Sequence, residues 1–518
     1  DTIYMATGTK ISNTINTGAM HATGRARWQT LLVVLSALVL LVLAVWLRLR
    51  SLDLPFDRDG YDEGVYWQTL RAMSAGHPLY QETFYSQPPF FVLSIYPIYT
   101  LLGQTLWSAR CGIVIISLFG LLGAFLLGKA LSGRIGALVA LLLIVADPLY
   151  LMQSQTLQAE APSIAFSMLG VGLAYLWWEQ PDGTSGLSYA VLAAVSLALG
   201  VLSKLLVAPL VPAALLLAAQ LWRLYRRADG AKWANTRPLL AAIIAFIAIT
   251  AVILLPFAEA FHQFWASVVT FHRDAAIVFK SSQAGNRSQI LQTLRTSPLT
   301  YAALYGVVVA LLRRDWRVVP LIAWLLASLL LLWQQVPLFP HHFVALTPPL
   351  IALAVMGIGP ISGNRKMLLT LANTTAIVAL VVMVVTATMN IQTARHDLYL
   401  KQAQGTAPET MQSIRVARDL QQVTQSGQWI VTDAQFIAAL AGRDTPPTLV
   451  DTSQVRIKTG YVTLPQLIQE ASQPRVRAVL FYTDRLRLPN VAAFHAWVAQ
   501  HFHLVHDYGQ GRELWIRV

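Results

Sequence analysis

Acidic side chains are scarce along most of this chain, so the places where they gather point to chemistry. The 518 residues include 25 Asp and Glu, and several of them fall in one polar stretch between apolar segments. A carboxylate at the edge of an apolar helical bundle often marks a functional cavity, where it can bind substrate or accept a proton. A solvated loop is the alternative interpretation. The clustered residues are Asp53, Asp57, Asp59, Asp62, Glu63 and Glu82, and Glu160 stands in a second, shorter polar stretch.

Basic side chains near these carboxylates could bind an anionic group. Arg48, Arg50 and Arg58 flank or enter the first acidic stretch, and Lys204 stands at a later break between apolar segments. For Arg48 and Arg50 the alternative is that the side chains extend from a helix end toward water.

The adjacent pair His341 and His342 follows the turn Pro337–Pro340 and raises the question of a metal. Adjacent positions on a helix point about 100° apart, so one ion rarely takes both side chains. We therefore assign no metal ligand, and leave a divalent metal open as a cofactor. A polar contact with substrate and a solvated turn are the other interpretations of this pair.

The composition is that of a membrane protein. Of the residues, 55% are hydrophobic and 12% are charged, with a mean hydropathy of +0.53, whereas soluble domains carry about a quarter charged residues. Apolar runs of about twenty residues recur, which is the length needed to cross a bilayer as a helix. The net charge of +13 lies largely in short loops beside these runs, where Lys and Arg set topology, so nucleic acid is excluded as a partner.

Charge and parity predict the fold class, a polytopic α-helical membrane protein with about eleven transmembrane helices. Arg25 and Arg27 place the N-terminus in the cytoplasm, and a large loop of residues 48–107 then lies outside. Within this loop, Pro89–Leu102 is too short to span and is predicted as a juxtamembrane or re-entrant helix. The odd number of spans leaves the C-terminal part outside as well.

The C-terminal part, residues 394–518, is polar and alternates predicted strands with helices, which indicates a soluble α/β domain. The preceding residues 1–393 then form the membrane domain. The strongest strand signal is Arg477–Tyr482. The other predicted strands are Gln428–Thr432, Thr448–Val450 and short ones near Leu504 and Leu514, and the predicted helices lie around Ala434–Leu440, Leu464–Ala471 and Val491–Phe502.

The external stretches contain an ordered series of short motifs. In order and spacing, and in sharing one face of the membrane, this series resembles the C-type membrane glycosyltransferases that use lipid-linked sugars, over about residues 50–360. The subgroups it resembles most are the protein O-mannosyltransferases and the lipid A aminoarabinose transferases. The motifs are Asp62-Glu63-Gly64-Val65-Tyr66, Gly76-His77-Pro78-Leu79-Tyr80, Gln87-Pro88-Pro89-Phe90, Ser108-Ala109-Arg110 and Gln158-Ala159-Glu160.

The chain departs from this family at two positions. The aminoarabinose enzymes usually have Lys before Pro-Pro, where this chain has Gln87, so the cation facing the lipid phosphate must come from elsewhere. The second acidic motif holds Glu160 without another carboxylate two residues away. The identity of the donor sugar is therefore not transferred from the family.

The resemblance implies a hexosyl- or pentosyltransferase that moves a sugar from a polyprenyl-phosphate donor to an acceptor hydroxyl on the extracytoplasmic face. It implies Asp62 as the base that takes the acceptor proton, with Glu63 orienting it or binding the sugar. The departing phosphate needs positive charge, and a single displacement inverts the anomeric centre. The residues expected to bind substrate are Arg48, Arg50, Arg58, Tyr80, Gln87, Glu160, Lys204, His341 and His342.

Other interpretations stay open. A lipid-linked oligosaccharide ligase or polymerase would use the same donor class with another glycan as acceptor. A transporter usually has internal repeats, which the sequence does not show, and a non-catalytic scaffold would not need both Asp62 and Glu63. The expected partners are membrane lipid, the lipid-linked donor, and a glycan, lipid or protein acceptor. The segment Ala258–Ser297 is either a lid over the site or a set of amphipathic helices on the membrane surface.

Overall fold

The computed structural model describes residues 16–181, 183–226, 232–358 and 366–517. Most of these residues are helical. The helices of the N-terminal part are α1 (Asn16–Leu49), α2 (Asp62–Ser74), α3 (Phe90–Leu101), α4 (Leu106–Ala146), α5 (Pro148–Gln153), α6 (Glu160–Glu179), α7 (Gly183–Ser203), α8 (Leu210–Arg226), α9 (Lys232–Leu254), α10 (Phe261–Trp265), α11 (Phe271–Val278), α12 (Asn286–Thr296), α13 (Pro298–Leu312), α14 (Val318–Gln334), α15 (Thr347–Met356) and α16 (Lys366–Gly405).

Among the residues described, six helices are long and apolar enough to cross a membrane, judged by length and composition. The bent pair Lys280–Thr296 and Pro298–Leu312, at 78°, would make a seventh span. The multi-pass membrane architecture is therefore confirmed. The predicted count of about eleven spans stays a prediction, because several of the predicted spans are apolar helices of only 10–17 residues.

The longest helical stretch, α4, consists of two arms joined at a sharp reversal. Gly133 has a φ of 66°, a conformation that glycine adopts readily. The arms then pack closely, since a Cβ on Gly128 would lie 2.3 Å from the carbonyl oxygen of Gly136. The predicted span Trp107–Leu127 lies on the first arm. The predicted span Ile135–Leu149 begins on the second arm, which ends at Ala146, and reaches into α5.

Small residues also bring α4, α6 and α7 together. A Cβ on Gly123 would lie 2.3 Å from the backbone nitrogen of Leu169, and one on Gly170 would lie 2.7 Å from Cγ of Leu197. Glycines at such positions let helix backbones approach closely, as is common in membrane bundles. This packing fixes α6, whose first residue is Glu160.

The loop that joins α1 to α4, called here the first external loop after its predicted orientation, contains the two helices α2 and α3. The predicted juxtamembrane helix Pro89–Leu102 is present as α3, which packs on α4 where a Cβ on Gly112 would lie 2.9 Å from Cβ of Ile95. Helix α2 begins at Asp62, so the paired carboxylates occupy its first turn. A helix N-terminus favours negative charge at this position.

A small mixed α/β unit follows α16 and confirms the prediction of a sheet in the C-terminal part. The strand order is β1-β2-β4-β3, with β1 and β2 parallel and the other two pairs antiparallel. Its strands are β1 (Trp429–Thr432), β2 (Val476–Phe481), β3 (Phe502–Asp507) and β4 (Glu513–Arg517), and its helices are α17 (Pro408–Val423), α18 (Gln435–Leu440), α19 (Gln454–Lys458), α20 (Leu464–Ser472) and α21 (Ala493–His501).

Two sequence expectations for this part of the chain, one strand and the domain boundary, differ from the structure. The strand predicted at Thr448–Val450 is wrong, because Pro447–Leu449 forms a 3₁₀ turn. Proline at the start of this turn has no N–H to donate to a neighbouring strand. Helix α16 runs on to Gly405, so residue 394, the predicted domain boundary, lies inside a continuous helix.

Replacing Gly64 by Ala is expected to loosen the contact between α2 and the C-terminal unit. A Cβ at Gly64 would lie 2.4 Å from the backbone nitrogen of Phe436, which cannot move independently of α18. Forcing a methyl group into such a contact costs about 1–3 kcal/mol, seen as a lower thermal unfolding temperature in detergent. Gly285→Ala is the matched control, because its Cβ would meet only the end of the Gln289 side chain at 3.7 Å. Equal unfolding temperatures for the two variants would contradict the contact.

Candidate active site

A buried ion pair ties the first external loop to the helical bundle. Arg110, near the start of α4, donates from Nε and Nη2 to the two carboxylate oxygens of Glu63 at 2.8 and 2.6 Å, and both side chains are fully buried. Its other hydrogens go to the carbonyls of Leu52, Leu54 and Phe56 at 2.9, 2.8 and 2.8 Å. A buried pair is stable only when its donors and acceptors are satisfied in this way.

The Glu63 carboxylate also accepts from two backbone N–H groups. Arg58 N and Leu157 N lie 2.8 and 2.9 Å from its oxygens, so the first external loop and the segment before α6 meet at this side chain. Burial alone would raise the pKa of Glu63, but the charge and hydrogen bonds of Arg110 hold it below its usual value. Because the carboxylate is enclosed and occupied, its geometry fits the orienting role suggested for Glu63 rather than contact with a sugar.

Asp62 has the opposite environment. It is half-buried at the start of α2 and makes no hydrogen bond to the residues that the structure describes. A carboxylate oxygen of Asp62, one of Asp59 and a ring nitrogen of His341 all lie within 4.8 Å of one another. Burial raises the pKa of Asp62 to about 7, and the negative charge of Asp59 adds to this effect. A carboxylate with an open face and a pKa near neutrality is suited to accept a proton.

Glu160 is the centre of a second group of polar side chains. Lys204 Nζ donates to Glu160 Oε1, and the same oxygen lies 3.5 Å from His341 Nε2 and 3.9 Å from His342 Nε2. His341 links the two groups, because its Nδ1 donates to Asp59 at 2.9 Å. Burial alone would lower the pKa of His341, but the carboxylates of Glu160 and Asp59 raise it overall.

The two histidines converge on one carboxylate instead of diverging. They lie in the 3₁₀ turn Pro340–Leu346, and their ring centroids are 4.4 Å apart. His342 Nδ1 accepts from the backbone N–H of Phe339 at 3.1 Å, which in a neutral imidazole leaves the proton on Nε2, toward Glu160. The expectation that adjacent side chains diverge is wrong here, because both rings turn toward the same acceptor.

Two overlapping sets of side chains could hold a divalent cation. One is Asp59, Asp62 and His341, and the other is Glu160, His341 and His342, each with ligand atoms within 4.8 Å of one another. Carboxylate oxygen and imidazole nitrogen together suit divalent transition metals. Because His341 belongs to both sets, the two sites compete for one ligand.

An apolar cavity that is partly open to its surroundings lies beside Glu160, Lys204 and His342. It lies between the segment that joins α7 to α8 and helix α14. Its polar end is therefore continuous with the second group, while the rest offers hydrocarbon contacts. The main apolar lining residues are Leu205, Leu206, Pro209, Trp324, Leu331 and Leu332.

The three predicted arginines do not join these groups. Arg48 is fully buried, so the interpretation that it extends toward water is wrong. Arg50 is exposed and lies over the ring of Trp46 at 4.9 Å. Arg58 is buried and donates to Gln155 Oε1 at 3.3 Å. Among the four predicted cations, Lys204 is the one that reaches Glu160.

Tyr80 and Gln87 build the turn between α2 and α3. The Tyr80 hydroxyl donates to the backbone carbonyl of Gln87 at 2.7 Å. The Tyr80 ring packs edge-on against Phe257 and Phe264, with centroids 5.2 and 5.1 Å apart. The Tyr80 side chain therefore braces the first external loop against Phe257 and against Phe264 of the segment Ala258–Ser297.

That segment also reaches the C-terminal unit. Tyr461 donates to Asp274 at 3.2 Å. His272 donates from Nδ1 to the carbonyl of Val268 at 3.0 Å, and burial, together with the charge of Lys204, lowers its pKa to about 4. His272 therefore stands close to the second polar group, a placement that the sequence did not indicate. Contacts on both sides are what a lid needs, while the exposed Phe261 and Trp265 fit surface helices.

A membrane helical bundle, a carboxylate-bearing helix in its first external loop and a C-terminal α/β unit define the fold of the C-type membrane glycosyltransferases. Comparison with known proteins agrees, and the resemblance seen in the sequence is confirmed. The family model described as dolichyl-phosphate-mannose-protein mannosyltransferase matches residues 86–255. No curated protein sequence matches the chain.

Three solved structures show the similarity of fold. ArnT from Cupriavidus metallidurans in the apo state has a TM-score of 0.62 at 13% identity, covering 95% of this chain and 98% of that chain. The same protein bound to undecaprenyl phosphate gives 0.57 at 14%, covering 94% and 98%. The Archaeoglobus fulgidus oligosaccharyltransferase in complex with Zn and sulfate gives 0.52 at 16%, covering 93% and 73%. At these identities the similarity establishes the fold.

Glu63→Gln is expected to destabilise the protein strongly, because it leaves the charge of Arg110 buried without a counter-charge. Removing one partner of a buried pair typically costs about 3–5 kcal/mol, measured as a lower thermal unfolding temperature in detergent. The control is Glu82→Gln in the same loop, whose carboxylate is 55% exposed and pairs only with His77; such pairs contribute about 0–1 kcal/mol. If the two variants unfolded at the same temperature, the Glu63–Arg110 pair would not be the anchor of the loop.

Proposed function

We propose that this protein is a glycosyltransferase that moves a sugar from a polyprenyl-phosphate donor to an acceptor hydroxyl on the extracytoplasmic side of the membrane. One observation supports this most: His341 lies between the open carboxylate of Asp62 and Glu160, which lines the polar end of an apolar cavity. The donor consists of an isoprenoid chain, a phosphate and a sugar. The apolar cavity wall matches the isoprenoid chain, Lys204 matches the phosphate, and the carboxylates match the sugar.

In the proposed reaction Asp62 takes the proton of the acceptor hydroxyl. The bond from the acceptor oxygen to the anomeric carbon forms while the bond from that carbon to the phosphate oxygen breaks, and polyprenyl phosphate leaves. Attack opposite the phosphate inverts the anomeric centre. The pKa of about 7 suits this role, because the carboxylate is a stronger base than an unperturbed one and about half of it is still ionised at neutral pH.

Lys204 is the residue we assign to the departing phosphate. Its ammonium stands at the polar end of the cavity, and His341, whose pKa is raised, adds positive charge nearby. Positive groups placed where charge develops stabilise the transition state. The structure of ArnT bound to undecaprenyl phosphate, which has the same fold, supports a polyprenyl carrier as the lipid part of the donor.

A divalent cation fits the site as a cofactor. Glu160, His341 and His342 form a candidate ligand set that leaves the oxygens of Asp62 free for the acceptor. A bound cation would supply Lewis-acid stabilisation of the phosphate charge. The orientation rests on the Lys and Arg bias of the loops, which places the N-terminus inside and the α2 loop and C-terminal unit outside.

Asp62→Asn is expected to lower the transfer rate constant by about 10²–10⁴-fold, the usual contribution of a general base. The measurement uses purified enzyme and a polyprenyl-phosphate sugar, with release of free sugar to water as the readout where no acceptor is at hand. In the wild type the rate should fall tenfold per pH unit below about 7, because protonated Asp62 is inactive, and this acid limb should be absent in the variant.

The matched control is Asp53→Asn, the same change at an exposed position of the same loop. It should leave both the rate and its pH dependence unchanged. Wild-type transfer by Asp62→Asn would exclude Asp62 as the base.

Lys204→Met is expected to weaken donor binding. Since this change alone would leave Glu160 buried without its partner, the informative comparison is the double variant Lys204→Met/Glu160→Gln against Glu160→Gln. Loss of a charged hydrogen bond to phosphate is worth about 1.5–3 kcal/mol, so the dissociation constant for the donor should rise by about tenfold to a hundredfold. Equal affinities of these two variants, measured by calorimetry in detergent, would remove Lys204 from the phosphate site.

A further inference from the structure

Helix α2 and the residue before it present one continuous face to the C-terminal unit. Tyr61, Gly64, Gln68 and Arg71 recur at intervals of three and four residues, which places them on one side of a helix. Gly64 contacts the backbone of Phe436. Gln68 Nε2 donates to the carbonyls of Arg443 and Gln435 at 3.0 and 3.3 Å, and Arg71 pairs with Asp444 at 2.7 Å.

Tyr61 is the end of this face nearest to the candidate base. Its hydroxyl oxygen accepts from the backbone N–H of Thr452 at 2.9 Å and lies 3.4 Å from Asp451 Oδ1. The guanidinium of Arg485 lies over its ring, 3.9 Å from the centroid. Three residues of the C-terminal unit therefore hold a side chain that precedes Asp62 by one position.

The loop that holds Tyr61 is itself fixed. Arg456 donates to the carbonyl of Thr448 at 2.9 Å and to that of Asp451. Its guanidinium also lies 3.6 Å from the ring centroid of Phe84 in the first external loop. The contact at Tyr61 is thus made by a fixed loop of the C-terminal unit. A fixed loop can hold the start of α2 in place.

An open carboxylate cannot be positioned by its own hydrogen bonds. Asp62 must keep its oxygens free for the acceptor, and it makes no hydrogen bond to the described part of the chain. Its place is therefore set by the backbone on either side. Glu63 is held by the membrane bundle through Arg110, and Tyr61 is held by the C-terminal unit.

We propose that Tyr61 is a positioning residue, through which Thr452, Asp451 and Arg485 of the C-terminal unit hold the first turn of α2 so that the Asp62 carboxylate stays beside Asp59 and His341. This inference rests on the proposed function, since it takes Asp62 as the base. A base displaced by about 1 Å can lose about a hundredfold in rate. The C-terminal unit then contributes to the chemical step without touching the reacting atoms.

The test compares Tyr61→Phe with Tyr508→Phe, which removes another tyrosine hydroxyl of similar bonding, donated to Asp419 at 2.8 Å within the C-terminal unit. Tyr61→Phe should lower kcat by about tenfold or more, with the KM for the donor unchanged. Tyr508→Phe should leave both unchanged. Both variants should remain folded, as judged by their thermal unfolding temperatures, so that a fall in kcat confined to Tyr61→Phe reports the position of α2.

A double-variant comparison separates positioning from a general loss of structure. Arg485→Ala should lower kcat in the wild type but add nothing in a Tyr61→Ala background, because the contact through which it acts is already gone. Additive effects of Arg485→Ala and Tyr61→Ala, or wild-type kcat in Tyr61→Ala, would overturn the proposal.

Hydrogen exchange supplies a readout that does not depend on activity. In Tyr61→Ala the backbone amides of residues 61–66 should exchange faster than in the wild type, while those of α6 should not change. Unchanged exchange at residues 61–66 would overturn the positioning role. If the wild-type enzyme itself transferred no sugar, the proposed function would fail, and the exchange result would still decide whether Tyr61 holds α2.

Discussion

The structure of the site depends on one interaction, the buried pair between Glu63 and Arg110. Removing two charges from water is expensive, and their attraction compensates only when every remaining donor and acceptor is satisfied. Here the guanidinium reaches three loop carbonyls besides the carboxylate, and the carboxylate reaches two backbone N–H groups. The pair therefore specifies the path of the chain from Leu52 to Glu63. Without it, the segment from Leu52 to Glu63 would lose its direct link to α4.

This anchor explains how two adjacent carboxylates acquire opposite properties. Glu63 is enclosed by positive charge and donors, and its pKa falls below the usual value. Asp62 is half-buried beside other carboxylates without a donor of its own, and its pKa rises to about 7. When the environments of two acids in one site push their pKa values apart, one acid keeps a fixed charge and the other can accept a proton. The sequence shows only two neighbouring acids, and the difference arises entirely from what each of them faces.

The sequence predicted those features that depend on local pattern. Apolar runs gave the membrane bundle, alternation gave most strands of the C-terminal sheet, and the short apolar stretch became α3. Features that depend on distant contacts were not predictable. Arg110 belongs to one of the sequence motifs, yet its partner Glu63 lies 47 residues away in the chain. Thr452 lies 391 residues from Tyr61. A lone arginine in an apolar run is the signal that could have pointed to Arg110, because such a charge needs a buried partner.

The remaining question about the site is electrostatic, and His341 is central to it. Its imidazole belongs to both candidate cation sets and bridges Asp59 and Glu160. The neighbouring carboxylates raise its pKa, so a proton and a metal ion compete for the same ring, since a metal binds only the neutral imidazole. Either occupant adds positive charge between Asp62 and Lys204. In the proposed reaction either occupant would place a cation beside the donor phosphate, and a rise in pH would shift the balance from the proton toward the metal.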